Sequence, residues 1–369
     1  MKPPIQLVVL SLESWDDVWR RNQLLVAALI ADLRDLRVLF VEPPVAALRN
    51  LRSVRSLRRR ETSVDALPGV AVFPTAQWFP DRLMPYLPMQ GARPIRRAVQ
   101  DLEFDEPVLW VNNHSLARFA LSTRWPVVYD ITDDWLLAQL PAAKRRRAEL
   151  DDELLLRCAD AVVVCSPGLA ASRGERRDGL VVIPNGVDLE HFSALQPRPI
   201  DLGSGPVAVY VGTLHDERLD VRLCCDIADG LEEVQFVYVG PLCLRPDSRH
   251  ELERRPNVRL LGPRPYAVVP AYLQHADAIF VPHVVSAFTE SLDPIKAREC
   301  LAVGTPTVAT PVAGFRELGP PIEVFRPEEF IAGLRATLAA QRQSVPPQKI
   351  WTWADAAREF RAVLESVIR

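Results

Sequence analysis

No Cys-x-x-Cys pair occurs in the sequence. None of its six cysteines (Cys158, Cys165, Cys224, Cys225, Cys243, Cys300) has histidines at zinc-site spacing, so a zinc module is excluded and reduced core thiols are expected. No apolar run approaches the roughly 20 residues of a membrane span. The opening run Ile5 to Leu10 is short and leads into Glu13, Asp16 and Asp17, so no signal peptide is expected and the cytoplasm is the expected compartment. The net charge is -3, which gives no global basic field and argues against a nucleic-acid partner. Neither half opens with Gly-x-Gly-x-x-Gly, which leaves an NAD-dependent dehydrogenase remote. Low-complexity tracts and internal repeats are also missing.

What is present is a chain of 369 residues, 48% hydrophobic and 25% charged, the composition of a packed globular protein with room for two α/β domains. Short apolar runs alternate with helical patterns: Ile5 to Leu10, a helix around Asn22 to Leu33, then Val38 to Val41. Further strands are predicted at Val70 to Phe73, Val108 to Val111, Val127 to Tyr129, Ala161 to Cys165 and Val181 to Ile183. Most are continuous rather than alternating, the mark of a parallel sheet covered on both faces. A polar, proline-bearing stretch from His191 to Gly205 reads as a linker. Beyond it, strands at Val207 to Val211, Gln235 to Val239, Val258 to Leu261, Ala278 to Val281 and Thr307 to Ala309 predict a second doubly wound sheet. The expected domains are 1–190, a linker 191–205, a second domain 206–345, and a C-terminal segment 346–369 with an amphipathic helix from Trp351 to Ile368.

Arginines interrupt this neutral picture. Arg49, Arg52, Arg55, Arg58, Arg59 and Arg60 run without an acid until Glu61, and Leu48, Leu51, Val54 and Leu57 share the three-residue spacing. As a helix this is either a solvated element with its leucines on the domain or an interfacial stripe touching an anionic membrane.

The most informative segment is Ser291-Leu292-Asp293-Pro294-Ile295-Lys296-Ala297-Arg298-Glu299, followed by Cys300 to Ala309. It reads as a loop entering a helix that ends at Gly304 before a buried strand. Free N–H groups at such a helix start, with Lys296 in the first turns, suit a diphosphate; an ordinary helix with an ordinary lysine fits the spacing equally. Glu299 to Ala309 resembles the latter part of the Glu-x7-Glu motif and Gly-x-Pro-Val-Val strand of retaining GT-B glycosyltransferases of family 4 (glycosyl transferases group 1), and the resemblance spans nearly the whole chain. The wording Ser-Leu-Asp-Pro-Ile-Lys is similar to teichuronic-acid and capsular polysaccharide enzymes. The resemblance implies two Rossmann-like domains facing a cleft, with the C-terminal helix crossing back. It assigns Glu299 to the ribose hydroxyls, and Lys296 with the loop backbone of Ser291, Leu292, Asp293, Pro294 and Ile295 to the donor diphosphate. The chain departs from the motif at its first acid, since Ser291 stands eight positions before Glu299 and Glu290 nine.

Other landmarks fit the same resemblance. Pro184-Asn185-Gly186-Val187-Asp188 is similar to the family's interdomain signature, and otherwise a tight turn. Gly212 and Thr213 close the first strand of the nucleotide domain, and Arg218 is either a diphosphate ligand or a surface arginine. Arg264 lies in the loop that reads the base in this family. His114 follows a strand end, where open sheets place ligands; the family reading puts it beside the donor sugar, the bland one inside the fold. Tyr129-Asp130-Ile131-Thr132-Asp133-Asp134-Trp135 places Asp133 and Asp134 where they could orient the acceptor or His114. The loop Glu13-Ser14-Trp15-Asp16-Asp17-Val18-Trp19-Arg20, with Asp16 in it, resembles the acceptor-side loop of the teichuronic-acid and capsular polysaccharide enzymes; Trp15 and Trp19 suit stacking on sugar rings and equally suit the core.

The expected activity is transfer of a sugar from a nucleoside diphosphate sugar to a glycan, lipid-linked or small-molecule hydroxyl, with retention implied by the resemblance alone. No cofactor is expected, and no Asp-x-Asp triplet points to a metal-held diphosphate. Cell-envelope polysaccharide synthesis is the leading context and natural-product glycosylation the next. A nucleotide-sugar epimerase and an inactive GT-B partner protein are the rivals.

Overall fold

The computed structural model describes residues 4–46, 67–77, 92–134, 136–137, 141–340 and 349–368. The arginine run from Arg49 to Arg60, with Arg52, Arg55 and Arg58, lies outside the described residues, as does Trp135. Two parallel sheets carry the chain. The strands are β1 (Gln6–Leu10), β2 (Arg37–Val41), β3 (Val45–Ala46), β4 (Val70–Phe73), β5 (Ala76–Gln77), β6 (Val108–Val111), β7 (Val127–Ile131), β8 (Ala161–Val164) and β9 (Val181–Val182), then β10 (Val207–Val211), β11 (Gln235–Val239), β12 (Val258–Gly262), β13 (Ala278–Val281), β14 (Thr307–Ala309) and β15 (Ile322–Val324). The first sheet runs β4-β2-β1-β6-β7-β8-β9 and the second β12-β11-β10-β13-β14-β15, while β3 and β5 form a small pair.

Both sheets reverse strand order beside their first strand, at β1/β6 and at β10/β13. This leaves a crevice at the carboxyl ends of those strands. The continuous apolar runs explain the layering. Along β1, Leu7 and Val9 enter one buried cluster while Val8 and Leu10 enter the other, so both faces of the first sheet are covered.

The expected linker is more structured than its prolines suggest. Helix Leu189–Ser193 is capped by Asp188, and Phe192 is buried in the core of the second sheet. Gln196 and Arg198 then bind Gln274 and the carbonyl of His275, so the stretch lies along the second domain. Strand β15 was not expected, because the exposed Glu323 at its centre breaks the continuous apolar run that marks the other strands.

The C-terminal helix Trp353–Val367 crosses back. Ala356, Ala357, Phe360, Val363 and Leu364 pack with Leu25 and Leu29 of helix Arg21–Asp32 in the first domain. Val187 and Thr352 meet in a parallel bridge, so the outgoing and returning chains touch where they pass between domains. No helix among the described residues is long and apolar enough to cross a membrane.

Candidate active site in the interdomain cleft

Helix Ile295–Val303 starts at Pro294 without a side-chain cap or an acid in its first turn, and ends at Gly304 in the left-handed conformation. The Ala297 N–H donates to the Pro294 carbonyl at 3.0 Å, and the helix start, without a side-chain cap, carries the positive end of the helix dipole. Lys296 and Glu299, three residues apart, share one side of this helix. The Lys296 ammonium lies 3.8 Å from the centroid of the Tyr210 ring and 3.4 Å from His283 Nε2. Burial and the nearby Arg218 guanidinium push it down to about 7. Glu299 is buried, and desolvation raises its carboxyl to about 7 against the lowering effect of Lys296. A buried acid and lysine are thus both poised to become fully charged when a polar ligand replaces the missing hydration.

Gly212 closes β10 at φ +140°, and a Cβ built there would stand 2.6 Å from Lys296 Nζ. At Gly240, a Cβ would stand 2.0 Å from the Gly212 carbonyl oxygen. The two strand ends approach this closely because Gly240 has no side chain, and Lys296 lies this close to the end of β10 because Gly212 has none. Thr213 follows, half-buried, on the same rim.

Arg218 reaches across the cleft. Its Nη2 is 3.0 Å from Asp133 of the first domain, and its guanidinium lies 5.6 Å from the Phe288 ring centroid. Burial raises the Asp133 carboxyl against the pull of Arg218. Glu13, in the loop after β1, is pushed up to about 7 by burial, with Arg20, Asp133 and Arg218 as charged neighbours. Residues following β1 and β7 thus face one following β10.

Several expected site residues are committed elsewhere. Asp134 is buried and held by both terminal nitrogens of Arg173 at 2.9 Å, so it braces the first domain instead of facing an acceptor. Asp130 is likewise taken by Arg21 and the Trp110 indole. His114, by contrast, stays half-buried just past β6 with Asp152, Asp151 and Arg173 as its charged neighbours, and burial lowers its pKa. Trp15 packs edge-on against Phe40, and Trp19 stacks on Tyr266 with centroids 5.4 Å apart, so both rings are already engaged. The Asp16 carboxylate caps its own loop, accepting from the Val18 N–H and from Arg20. Arg264 binds Asp201 at 2.7 Å and the Tyr272 hydroxyl at 3.0 Å.

The loop before the helix is a seam between domains. Asp293 accepts from the Asn185 backbone N–H and pairs with Arg298 at 2.7 Å, and its carbonyl accepts from the Asn185 side chain. The Ser166 hydroxyl donates to the Ser291 carbonyl at 2.6 Å, and Leu292 is buried. Glu290 turns outward to Arg316, 2.6 Å away, so neither Glu290 nor Ser291 supplies an inward carboxylate at the motif's first position. His283 and Tyr210 were not singled out from the sequence, and Glu13 entered there only as the first residue of the acceptor-side loop. His283 obeys the rule that drew attention to His114, a polar residue just past a strand end.

Residues 205–339 match the family model described as Glycosyl transferases group 1. That stretch is a glycosyltransferase group 1 domain. It contains Gly212, Arg218, His283, Lys296 and Glu299, while Glu13 and Asp133 lie in the domain opposite. The chain is 28% identical over 232 residues to Bacillus subtilis TuaH, provisionally named a teichuronic acid biosynthesis glycosyltransferase; the match spans 58% of each chain. In three dimensions the group 1 domain and its partner align with Anabaena HepE in complex with UDP and glucose at a TM-score of 0.67 and 18% identity, covering 99% of this chain and 100% of that one. The lipopolysaccharide outer core galactosyltransferase WaaB aligns at 0.58 and 14% identity, covering 99% and 100%. The trehalose 6-phosphate synthase of Burkholderia multivorans aligns at 0.60 and 12%, covering 98% and 95%. The fold is therefore GT-B.

Proposed function

We propose that this protein transfers a sugar from a nucleoside diphosphate sugar to an acceptor hydroxyl, with retention at the anomeric carbon. The observation that carries this reading is the pairing of Lys296 with Glu299 on one helix, beside Gly212 at the β10/β13 switch point. A buried carboxylate suits vicinal ribose hydroxyls, and the ammonium and uncapped helix start suit a diphosphate. The relatives that carry UDP and glucose, or that act on cell-envelope glycans, support the donor class and the cell-envelope context.

In this reading Glu299 holds the nucleoside. Lys296, Arg218 and the helix start stabilise the charge that builds on the diphosphate as the glycosidic oxygen departs, which is the main electrostatic contribution to the rate. That work falls to side chains and backbone, and no cofactor is invoked. Retention needs no side-chain nucleophile if the departing phosphate takes the acceptor proton on the same face. In the same reading Glu13 and Asp133, the neighbours of Arg218 on the first domain, orient the acceptor.

The test is hydrolysis or transfer from UDP-, GDP- and dTDP-sugars, followed through release of the free nucleoside diphosphate. Release that Lys296→Ala lowers at least about 100-fold supports the reading. Isomerisation of the sugar without release of nucleotide would replace it with the epimerase.

A further inference from the structure

His283 lies two residues past β13, 2% exposed, behind the Lys296 ammonium. Its Nε2 is 3.4 Å from Lys296 Nζ and 3.3 Å from the Tyr210 hydroxyl, while its Nδ1 has no hydrogen-bond partner. The backbone on either side is clamped. The His283 N–H donates to Thr310 Oγ1 at 3.0 Å, and the Thr310 hydroxyl donates back to the His283 carbonyl at 2.8 Å. Leu219 bridges it from the Arg218 loop, and Phe315 closes its far side edge-on, centroids 6.2 Å apart.

The charged groups acting on this ring are Lys296 from the helix and Arg218 from the loop after β10; Tyr210 on β10 adds a titratable hydroxyl. Both charges are cations, and together with burial they hold the imidazole neutral, well below its ordinary range. A neutral imidazole has one donor nitrogen and one acceptor nitrogen. A proton on Nε2 would aim an N–H at an ammonium, so the proton belongs on Nδ1 and the Nε2 lone pair accepts from Lys296.

We infer that His283 is a positioning residue for Lys296, its Nε2 lone pair and the face of Tyr210 fixing the ammonium beside Gly212 where a diphosphate would meet it. A lysine has a flexible four-carbon stem and no preferred direction of its own. Here the ring face, the lone pair and the missing Cβ of Gly212 leave it one place to be. The inference rests on the nucleoside diphosphate reading above.

Calorimetric titration with UDP, GDP and dTDP tests it, on the wild type, His283→Ala, His283→Asn, Lys296→Ala and the His283→Ala/Lys296→Ala double variant. His283→Ala should weaken the best-bound nucleotide roughly 5- to 20-fold, and His283→Asn, whose amide oxygen can accept from the ammonium, should recover most of it. In the Lys296→Ala background, His283→Ala should cost less than about twofold, since a residue acting through the lysine has nothing left to position. An equal loss with and without Lys296, or wild-type affinity in His283→Ala, overturns the inference while leaving the donor reading intact. If the wild type binds none of the three nucleotides, the donor reading falls and this inference with it. Should His283→Ala fail to fold, His283→Leu against His283→Asn makes the same comparison with the packing filled, and equal affinities for those two overturn it.

Discussion

Glu299 and Lys296 are individually expensive residues to bury, and that cost is a measurable signature of a binding site. The Glu299 carboxyl is raised from 4.5 to about 7. A raised carboxylate favours the folded state relatively at low pH, because below 4.5 both folded and unfolded forms are protonated. As pH rises through 7 the folded protein must ionise a buried group that the unfolded chain ionises freely. Glu299→Gln should therefore raise the melting temperature at pH 8 by about 3 °C or more and leave it nearly unchanged at pH 4, while weakening nucleoside diphosphate binding at least about 10-fold. Thermal melts at the two pH values check the first part and calorimetry the second. Lys296 shifts the other way. Its ordinary value is 10.5, and it falls to about 7 in the free protein. A bound diphosphate pulls it back up, so binding takes up a proton above pH 7 and affinity should decline as pH rises from 7 to 9. Titrations in buffers of different ionisation enthalpy would expose that proton, and an affinity independent of pH over this range would contradict it.

At the scale of elements, glycines set how closely backbones approach. Gly186 leaves no room for a side chain, since a Cβ there would lie 2.3 Å from the Trp353 backbone nitrogen where the two crossing chains pair. Gly186→Ala should detach the start of the C-terminal helix and lower the melting temperature by about 5 °C or more. At Gly212 the obstructing atom is the flexible end of Lys296, so Gly212→Ala should cost more in nucleotide affinity than in stability; affinity and melting temperature measured together check that ordering. Most elements were legible in the sequence, because buried parallel strands read as continuous Val, Ile and Leu runs and the helices between them keep their period. Helix chemistry and resemblance drew attention to Lys296, Glu299 and Arg218, and the structure brings Lys296 and Arg218 within electrostatic reach of each other; their role toward a donor is the proposal made above. The roles of Asp134 and Asp293 were not. An acid at a strand end or loop looks the same in sequence whether it meets a ligand or, as these do, Arg173 and Asn185 far along the chain. His283 was hidden for the converse reason, since its partners Tyr210 and Lys296 are distant in sequence and only the second sheet brings them together.

At the scale of the whole molecule, polar groups among the described residues join the domains: Arg218 with Asp133, Asn185 with Asp293, Ser166 with Ser291, and the Tyr266 N–H with the Asp17 carbonyl. The Arg218–Asp133 pair spans the opening of the cleft, and a diphosphate must compete with Asp133 for the guanidinium. Asp133→Asn should therefore tighten nucleoside diphosphate binding about 3- to 10-fold while slowing transfer; weaker binding would mean that the pair holds the arginine in place. The account as a whole depends on a nucleoside diphosphate at Lys296 and Glu299. Calorimetric binding of UDP, GDP and dTDP to the wild type, Lys296→Ala and Glu299→Ala measures this directly. Micromolar affinity for one nucleotide, lost by at least about 10-fold in each variant, is the predicted result; no binding by any nucleotide, or binding that both variants leave unchanged, would contradict it.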